Sequence, residues 1–271
     1  MPAVSKPPGT AYDIVSDVHG CLPELEELLT RLGYVSPVHP ASLAWSPPPG
    51  RHLVIAGDLV DRGPAILDTV DLMMAMIAAG DASAVVGNHD DKLLRWLRGH
   101  SVKVSQGLEA SIREVEGRPE AYRVQLEVFL TSLPSHLVLD EGRLVVAHAG
   151  LPERLHGIEN AKARDFAMYG AVRDGRDEWG FPIRLDWASD YGGAARIVYG
   201  HTPVITPVWS NRTIDIDTGC VFGNSLTALR YPELDVVSVP ARQVYQEKGG
   251  PFRERGPGGA PVEWQPAARA G

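Results

Sequence analysis

His52-Leu53-Val54-Ile55-Ala56-Gly57-Asp58-Leu59-Val60-Asp61-Arg62-Gly63 is the stretch whose reading decides the fold. Leu53 to Ala56 is an unbroken apolar run, the pattern of a strand buried on both faces rather than of one with a wet side. Gly57 ends the run, and two carboxylates and an arginine follow at once. Apolar residues then return at helical spacing, as Ile66, Leu67, Val70, Met73, Met74 and Ile77. The methionines among them read as core filling.

Outward from this stretch the same arrangement recurs. Tyr12 to Ser16 is a β-type run that ends in Asp17-Val18-His19-Gly20. Ala84-Val85-Val86 leads into Gly87-Asn88-His89-Asp90, Leu144 to Ala147 into His148-Ala149-Gly150, and Arg196 to Tyr199 into Gly200-His201-Thr202-Pro203. Helical spacing predicts helices over Leu22–Leu32, with Pro23 in the first turn, over Asp91–Leu97, and once or twice within Leu108–Leu133. Further β-type runs are Leu137–Leu139, Thr213–Ile216, Leu226–Tyr231 and Asp235–Val239. Strand and helix alternate early and strands dominate later, which predicts a mixed α/β (α+β) fold of two packed sheets with helices outside.

The 271 residues suffice for one sizeable core, and 44% hydrophobic with 22% charged residues is ordinary globular composition. Residues 12–240 read as one domain. Residues 1–11 and 241–271 are Gly/Pro-rich and are expected to be flexible, with Ser36–Gly50 a long surface loop. No apolar run approaches the roughly 20 residues of a membrane span, and Met1–Thr10 lacks the apolar centre of a signal peptide, so the expected location is cytoplasmic. Two cysteines, Cys21 and Cys220, read as reduced thiols. With 26 Lys and Arg against 34 Asp and Glu the formal charge is −8, which argues against a broad nucleic-acid-binding surface but not against a local anion site.

The five strand-end motifs carry the chemistry. In α/β sheets ligands bind in the crevice beyond the strands' carboxyl ends, and the adjoining glycines permit tight turns. Asp17, His19, Asp58, Asn88, His148 and His201 together offer carboxylate, amide and imidazole ligands without thiolate. That set suits Mn²⁺, Fe, Ni²⁺, Co²⁺ or Zn²⁺ better than Ca²⁺ or Mg²⁺. It is too large for one tetrahedral site, so two ions sharing a carboxylate is the economical reading, and such pairs clamp the oxygens of a phosphoryl displacement. Arg62 adds a planar fork of donors for phosphate, and Asp61 either pairs with it or orients a catalytic histidine. Taken singly, Asp17 and Asp90 read as turn or helix caps and Asp61–Arg62 as a surface ion pair. His39, His52, His100, His136 and His156 lack a strand-end glycine and read as structural.

Those motifs, in that order, resemble the metallophosphoesterases of the calcineurin-like fold, in the branch of the PPP-type protein phosphatases and diadenosine tetraphosphatases. The likeness runs from about Tyr12 to Pro240. It is strongest towards the PrpE-type bis(5′-nucleosyl)-tetraphosphatases and the phosphatase domain of bacterial polynucleotide kinase-phosphatases, through Asp13–Cys21, Phe181–Arg184, Thr213–Cys220 and Arg230–Pro232; Asp90 after the Gly-Asn-His triplet fits the latter group better. No Walker-type kinase motif accompanies it. The resemblance implies that Asp17, His19 and Asp58 hold one ion and that Asp58 bridges to a second held by Asn88, His148 and His201. It further implies that His89, held by Asp61, protonates the leaving oxygen while Arg62 and Asn88 bind phosphate, in hydrolysis by metal-bound hydroxide.

The substrate classes it leaves open are phosphorylated small molecules, nucleotides, polynucleotide ends and phosphoproteins. Cleavage of phosphodiesters, and a non-catalytic phosphate-binding role, stay open beside them. Two departures bear on that choice: Gln106 stands where these groups have His, and Val172-Arg173-Asp174 where they have Thr-Thr-Gly. Phe166–Tyr191 gathers aromatics with Arg173, Arg176 and Arg184. It reads equally as a substrate-facing surface, with Arg184 a second phosphate clamp, or as a small core of its own.

Overall fold

In a computed structural model the described residues are 7, 9–38, 42–105, 107–254 and 261–262. Most of the expected flexible N-terminus, His39, Gln106 and the end of the expected tail lie outside them. In chain order the first half comprises β1 (Ala11–Val15), α1 (Leu22–Leu32), β2 (Arg51–Ile55), α2 (Ile66–Ala79), β3 (Ala82–Ala84), α3 (Asn88–Leu97), α4 (Leu108–Glu116) and α5 (Glu120–Ser132). The second half comprises β4 (His136–Leu139), β5 (Leu144–Ala147), α6 (Ala161–Tyr169), β6 (Val172–Arg176), β7 (Pro182–Arg184), β8 (Arg196–Tyr199), β9 (Val208–Ser210), β10 (Thr213–Asp215), β11 (Ser225–Tyr231), β12 (Asp235–Pro240) and β13 (Phe252–Arg253).

Two five-stranded sheets result, ordered β12-β11-β1-β2-β3 and β4-β5-β8-β10-β9. The strands that carry the motifs run parallel to one another within each sheet: β1, β2 and β3 in one, β5 and β8, with β10 parallel beside them, in the other. Their carboxyl ends therefore emerge along one rim of each sheet.

Side-chain alternation holds the sheets together. On β2, Val54 faces the partner sheet, while Leu53 and Ile55 face the helices. On β5, Leu144 and Val146 point to the same inter-sheet core as Val54, and Val145 and Ala147 point away. This period of two, with both faces apolar, is why the strands read as unbroken hydrophobic runs. The helical layer contributes Leu25, Leu28, Leu29 and Leu32 of α1, and Ile66, Leu67, Val70, Met73 and Met76 of α2, all buried. The sandwich with outer helices agrees with the sequence reading.

Three details differ from the sequence reading, and one open alternative is decided. The third strand is Ala82–Ala84, not Ala84–Val86, because only its first residues keep ladder partners on β2. The helix expected from Asp91 begins at Asn88: Asp90 lies inside its first turn and accepts from the Gly87 amide at 2.9 Å, capping from within. The region 108–133 is two helices, separated at Gly117–Pro119. Residues from 241 onward, expected to form a flexible tail, are packed at least to Phe252: Ala241 and Phe252 are buried, and the Phe222 and Phe252 rings meet edge to face. Among the described residues, no helix is long and apolar enough to cross a membrane.

Candidate metal and phosphate site

All six residues expected as metal ligands meet at the shared rim. Asp58 lies at the centre: its Oδ2 is 3.5 Å from Nε2 of His19 and 3.4 Å from Nε2 of His148. Nε2 of His148 is also 3.0 Å from Oδ1 of Asn88 and 2.9 Å from Nδ1 of His201. Potential ligand atoms of Asp58, His148 and His201 all lie within 4.8 Å of one another, as do those of His19, Asp58 and His89. Asp58 belongs to both groups. Asp17 lines the same pocket, its carboxylate accepting from the Ser16 hydroxyl and, at 3.1 Å, from the His201 amide.

The local backbone is built to aim these groups. Asp17, His19, Asp58, Asp61, Arg62 and His201 have φ between 42° and 74°, a left-handed conformation that non-glycine residues rarely adopt. Such strain costs of order 1–3 kcal/mol per residue and gathers where function requires it. Gly87 is required by closeness rather than by φ: a Cβ there would meet Oδ1 of Asp58 at 2.0 Å and the Asp58 amide nitrogen at 2.3 Å, so nothing larger fits. Gly87→Ala is expected to push the Asp58 loop aside. It should destabilise the fold by about 1–3 kcal/mol and lower activity sharply, as denaturant unfolding and turnover measured together would show.

The donor set fits divalent cations. Nδ1 of His19 lies 2.7 Å from the Val60 carbonyl and Nδ1 of His148 lies 3.0 Å from the Ala56 carbonyl. Carbonyls only accept, so each Nδ1 carries the proton and each Nε2 presents its lone pair to the site, the arrangement found around bound metals. On His201 it is Nδ1 that faces the cluster, 2.9 Å from Nε2 of His148. Burial raises Asp17 and Asp58 well above the usual carboxylate range, reinforced by Asp217 and Asp58 at the first and by Asp90 at the second. Burial holds His19, His148 and His201 below the usual imidazole range, so the imidazoles are neutral, the form a metal requires of a histidine.

His89 and Arg62 flank this centre. Nδ1 of His89 lies 2.5 Å from Oδ2 of Asp61, whose other oxygen accepts from the Ser111 hydroxyl at 2.5 Å. Nε2 of His89 faces Arg62 Nη2 at 2.7 Å, and Arg62 Nη1 contacts Nε2 of His19. Of the two readings of Asp61, the geometry selects the one in which it orients a histidine. Ser111 was not anticipated, since a serine inside a helical pattern carries no signal of its own. Asp90, expected as a cap, also accepts from the amide of Leu59 at 3.0 Å and so pins the Asp58–Arg62 loop. His52, His136 and His156 hydrogen-bond to Ser83, to Ser135 with the Gly157 amide, and to the Leu151 carbonyl respectively.

A cavity of about 380 Å³ opens from this centre. Arg184 lines it and also donates to the Tyr169 carbonyl at 3.1 Å. Arg173 and Arg176 are not at the cavity; they lie on the exposed strand β6. The aromatic segment divides between its two readings. Trp179 and Phe181 line the cavity, while Phe166, Trp187 and Tyr191 pack with Tyr199 in a minor core beside β8. Asp177, Asp217, Phe222, Lys248 and Arg253 also line it, and none was singled out from sequence.

Comparison with known proteins bears on this arrangement. The family model for calcineurin-like phosphoesterases matches residues 12–238. The chain belongs to that family. It is therefore a metallophosphoesterase, a hydrolase, and the family implies divalent ions at a site such as this one. The bis(5′-nucleosyl)-tetraphosphatase PrpE (asymmetrical) of Anoxybacillus flavithermus is 44% identical over 250 residues, covering 89% of this chain and 99% of that protein. Its namesake in Bacillus subtilis is 43% identical, covering 88% of this chain and 97% of that one. A crystal structure provisionally identified as a diadenosine tetraphosphatase superposes with a TM-score of 0.59 at 26% identity, covering 86% and 94% of the two chains. A serine/threonine phosphatase of Saccharomyces cerevisiae shares the fold alone, with a TM-score of 0.58 at 13% identity.

Proposed function

We propose that this metallophosphoesterase hydrolyses a phosphoanhydride bond of a dinucleoside polyphosphate, using two divalent ions of which Mn²⁺ is the first choice. The observation that carries the reading is the cavity wall. From the cluster centred on Asp58 outward it offers Arg62, Arg184, Lys248 and Arg253 for phosphates, and Trp179, Phe181 and Phe222 for a base. More than 40% identity to PrpE-type tetraphosphatases over nearly their whole length supports it.

In this reading Asp17, His19 and Asp58 would hold one ion and Asn88, His148 and His201 the other, and Asp58, at near-equal distances from His19 and His148, is the residue placed to serve both. Ions so held supply Lewis acidity and a water of lowered pKa. Arg62 and Asn88 turn their donors to the phosphate under attack, and Arg184 to its neighbour. His89, held at Nδ1 by Asp61, would in its doubly protonated form pass a proton from Nε2 to the departing oxygen. A cytoplasmic setting, in which Cys21 and Cys220 stay reduced, belongs to the same reading.

Chelation is expected to abolish turnover and Mn²⁺ to restore it. Mn²⁺ should also raise the melting temperature, because an ion at 100 times its Kd adds about 2.7 kcal/mol. The deciding panel is diadenosine tetraphosphate, a 3′-phosphorylated oligonucleotide, a phosphopeptide and p-nitrophenyl phosphate. Preference for the first supports the reading. Preference for the oligonucleotide or the phosphopeptide assigns an end-phosphatase or a protein phosphatase instead.

A further inference from the structure

Residues 246–253 form a strap that lines the cavity beside the β6–β7 hairpin. Two contacts latch them together. Arg253 pairs with Asp177 at 3.0 Å and lies 5.3 Å over the Trp179 ring. Gly250 packs so closely that a Cβ there would sit 3.1 Å from Phe181 and 3.2 Å from Trp179. Asp177 in turn organises the hairpin, its Oδ1 accepting from the amides of Trp179 at 3.1 Å and Phe181 at 2.9 Å. Two segments distant in sequence thus make one wall.

That wall carries a held cation. The Lys248 ammonium donates to the carbonyls of Gly250 at 3.0 Å and Pro251 at 2.7 Å, and lies 5.9 Å from the Phe222 ring centre and 5.4 Å from that of Phe252. Arg62, Arg184 and Arg253 depress its pKa after burial does, to about 8, against the opposing pull of Asp217. Several cations converge here on one cavity, and an anion of several charges would relieve their mutual repulsion.

We propose that Lys248, with Trp179 and Phe181, forms a distal nucleotide subsite. Lys248 neutralises the phosphates beyond the one attacked, and the two rings stack with the base at the far end. The subsite rests on the phosphoesterase reading of the ion centre. It deepens that reading by requiring a substrate that is a nucleotide at its leaving end and not only a phosphate ester. Stacking on an aromatic ring tolerates any base, so the subsite selects for a nucleoside with a phosphate chain rather than for adenine.

The test is calorimetric titration of the Mn²⁺-loaded protein with ADP and, separately, with inorganic phosphate. Lys248→Ala and Trp179→Ala should each weaken ADP binding by about 5- to 100-fold, the range that a charge-assisted bond or base stacking supplies. Inorganic phosphate should weaken by less than about twofold in both. Lys248→Arg and Trp179→Phe should recover most of the ADP affinity. Equal loss for the two ligands, or no loss for either, overturns the subsite. Failure of the substrate reading looks different: the wild type would bind ADP through Lys248 yet leave diadenosine tetraphosphate intact.

Discussion

His89→Ala is expected to lower the turnover of an alkyl phosphate ester by about 10²–10⁴-fold, the usual worth of a positioned proton donor. The same change should cost p-nitrophenyl phosphate far less, because its leaving group departs without a proton. The variant is clean for a structural reason. The bond from His89 to Asp58 is made by the backbone amide, at 2.9 Å, and survives the loss of the imidazole. Asp61→Asn should give a smaller loss with the same dependence on leaving group, since it keeps the shape but removes the charge that orients Nδ1. Equal loss on both substrates would instead assign His89 a part in holding the ions, as its place beside His19 and Asp58 would allow. Measuring bound metal in the variant separates the two outcomes.

The ion centre was legible in the sequence because each of its parts is local. A strand that ends in glycine beside Asp, Asn or His announces itself within a few residues, and the parallel strands bring the five ends together. Arg184 was legible only as one of three arginines in an aromatic segment, and Asp217 only as part of a stretch that carries the family resemblance. Asp217 sits just past β10, two residues after Asp215, with no histidine or asparagine beside it to mark it as a ligand or phosphate contact.

The cavity wall was illegible for a different reason. All five residues of β6 are exposed, so no alternation marks it as a strand. The Gly249-Gly250-Pro251 run has the composition of a mobile linker. What holds the strap is non-local: Phe252 against Phe222, Arg253 on Asp177 and Trp179, and Gly250 against Phe181. Here glycine serves close approach rather than flexibility, and composition alone does not distinguish those uses. The two halves of the site thus differ in how they are encoded, the chemistry in contiguous motifs and the cavity wall in pairings across the chain.

Asp58→Asn separates the ion centre from the fold that carries it. The carboxylate is nearest to both histidine pairs, so the variant is expected to lose more metal affinity than the roughly 10–100-fold typical of an outer-shell change. Activity should fall below detection with any metal. Without metal, stability should move the other way. Burial holds Asp17 and Asp58 well above the usual carboxylate range, so the folded protein keeps protons that the unfolded chain releases near pH 4. A folded state that binds more protons loses stability as pH rises through that window towards the folded pKa values. Taken by itself this pair makes the metal-free wild type less stable at neutral pH than in mild acid, against the opposite contribution of the buried neutral His19, His148 and His201; the amide, which carries no charge, should relieve part of the carboxylate penalty. Metal-free Asp58→Asn is expected to melt above the metal-free wild type, and Mn²⁺ should reverse the order by stabilising the wild type alone. Two ions per chain in the variant, with turnover within tenfold of wild type, would remove Asp58 from the centre of the site. An unchanged metal-free melting temperature would locate the electrostatic penalty elsewhere, with the pair Asp215 and Asp217, also raised by burial, as the next place to look.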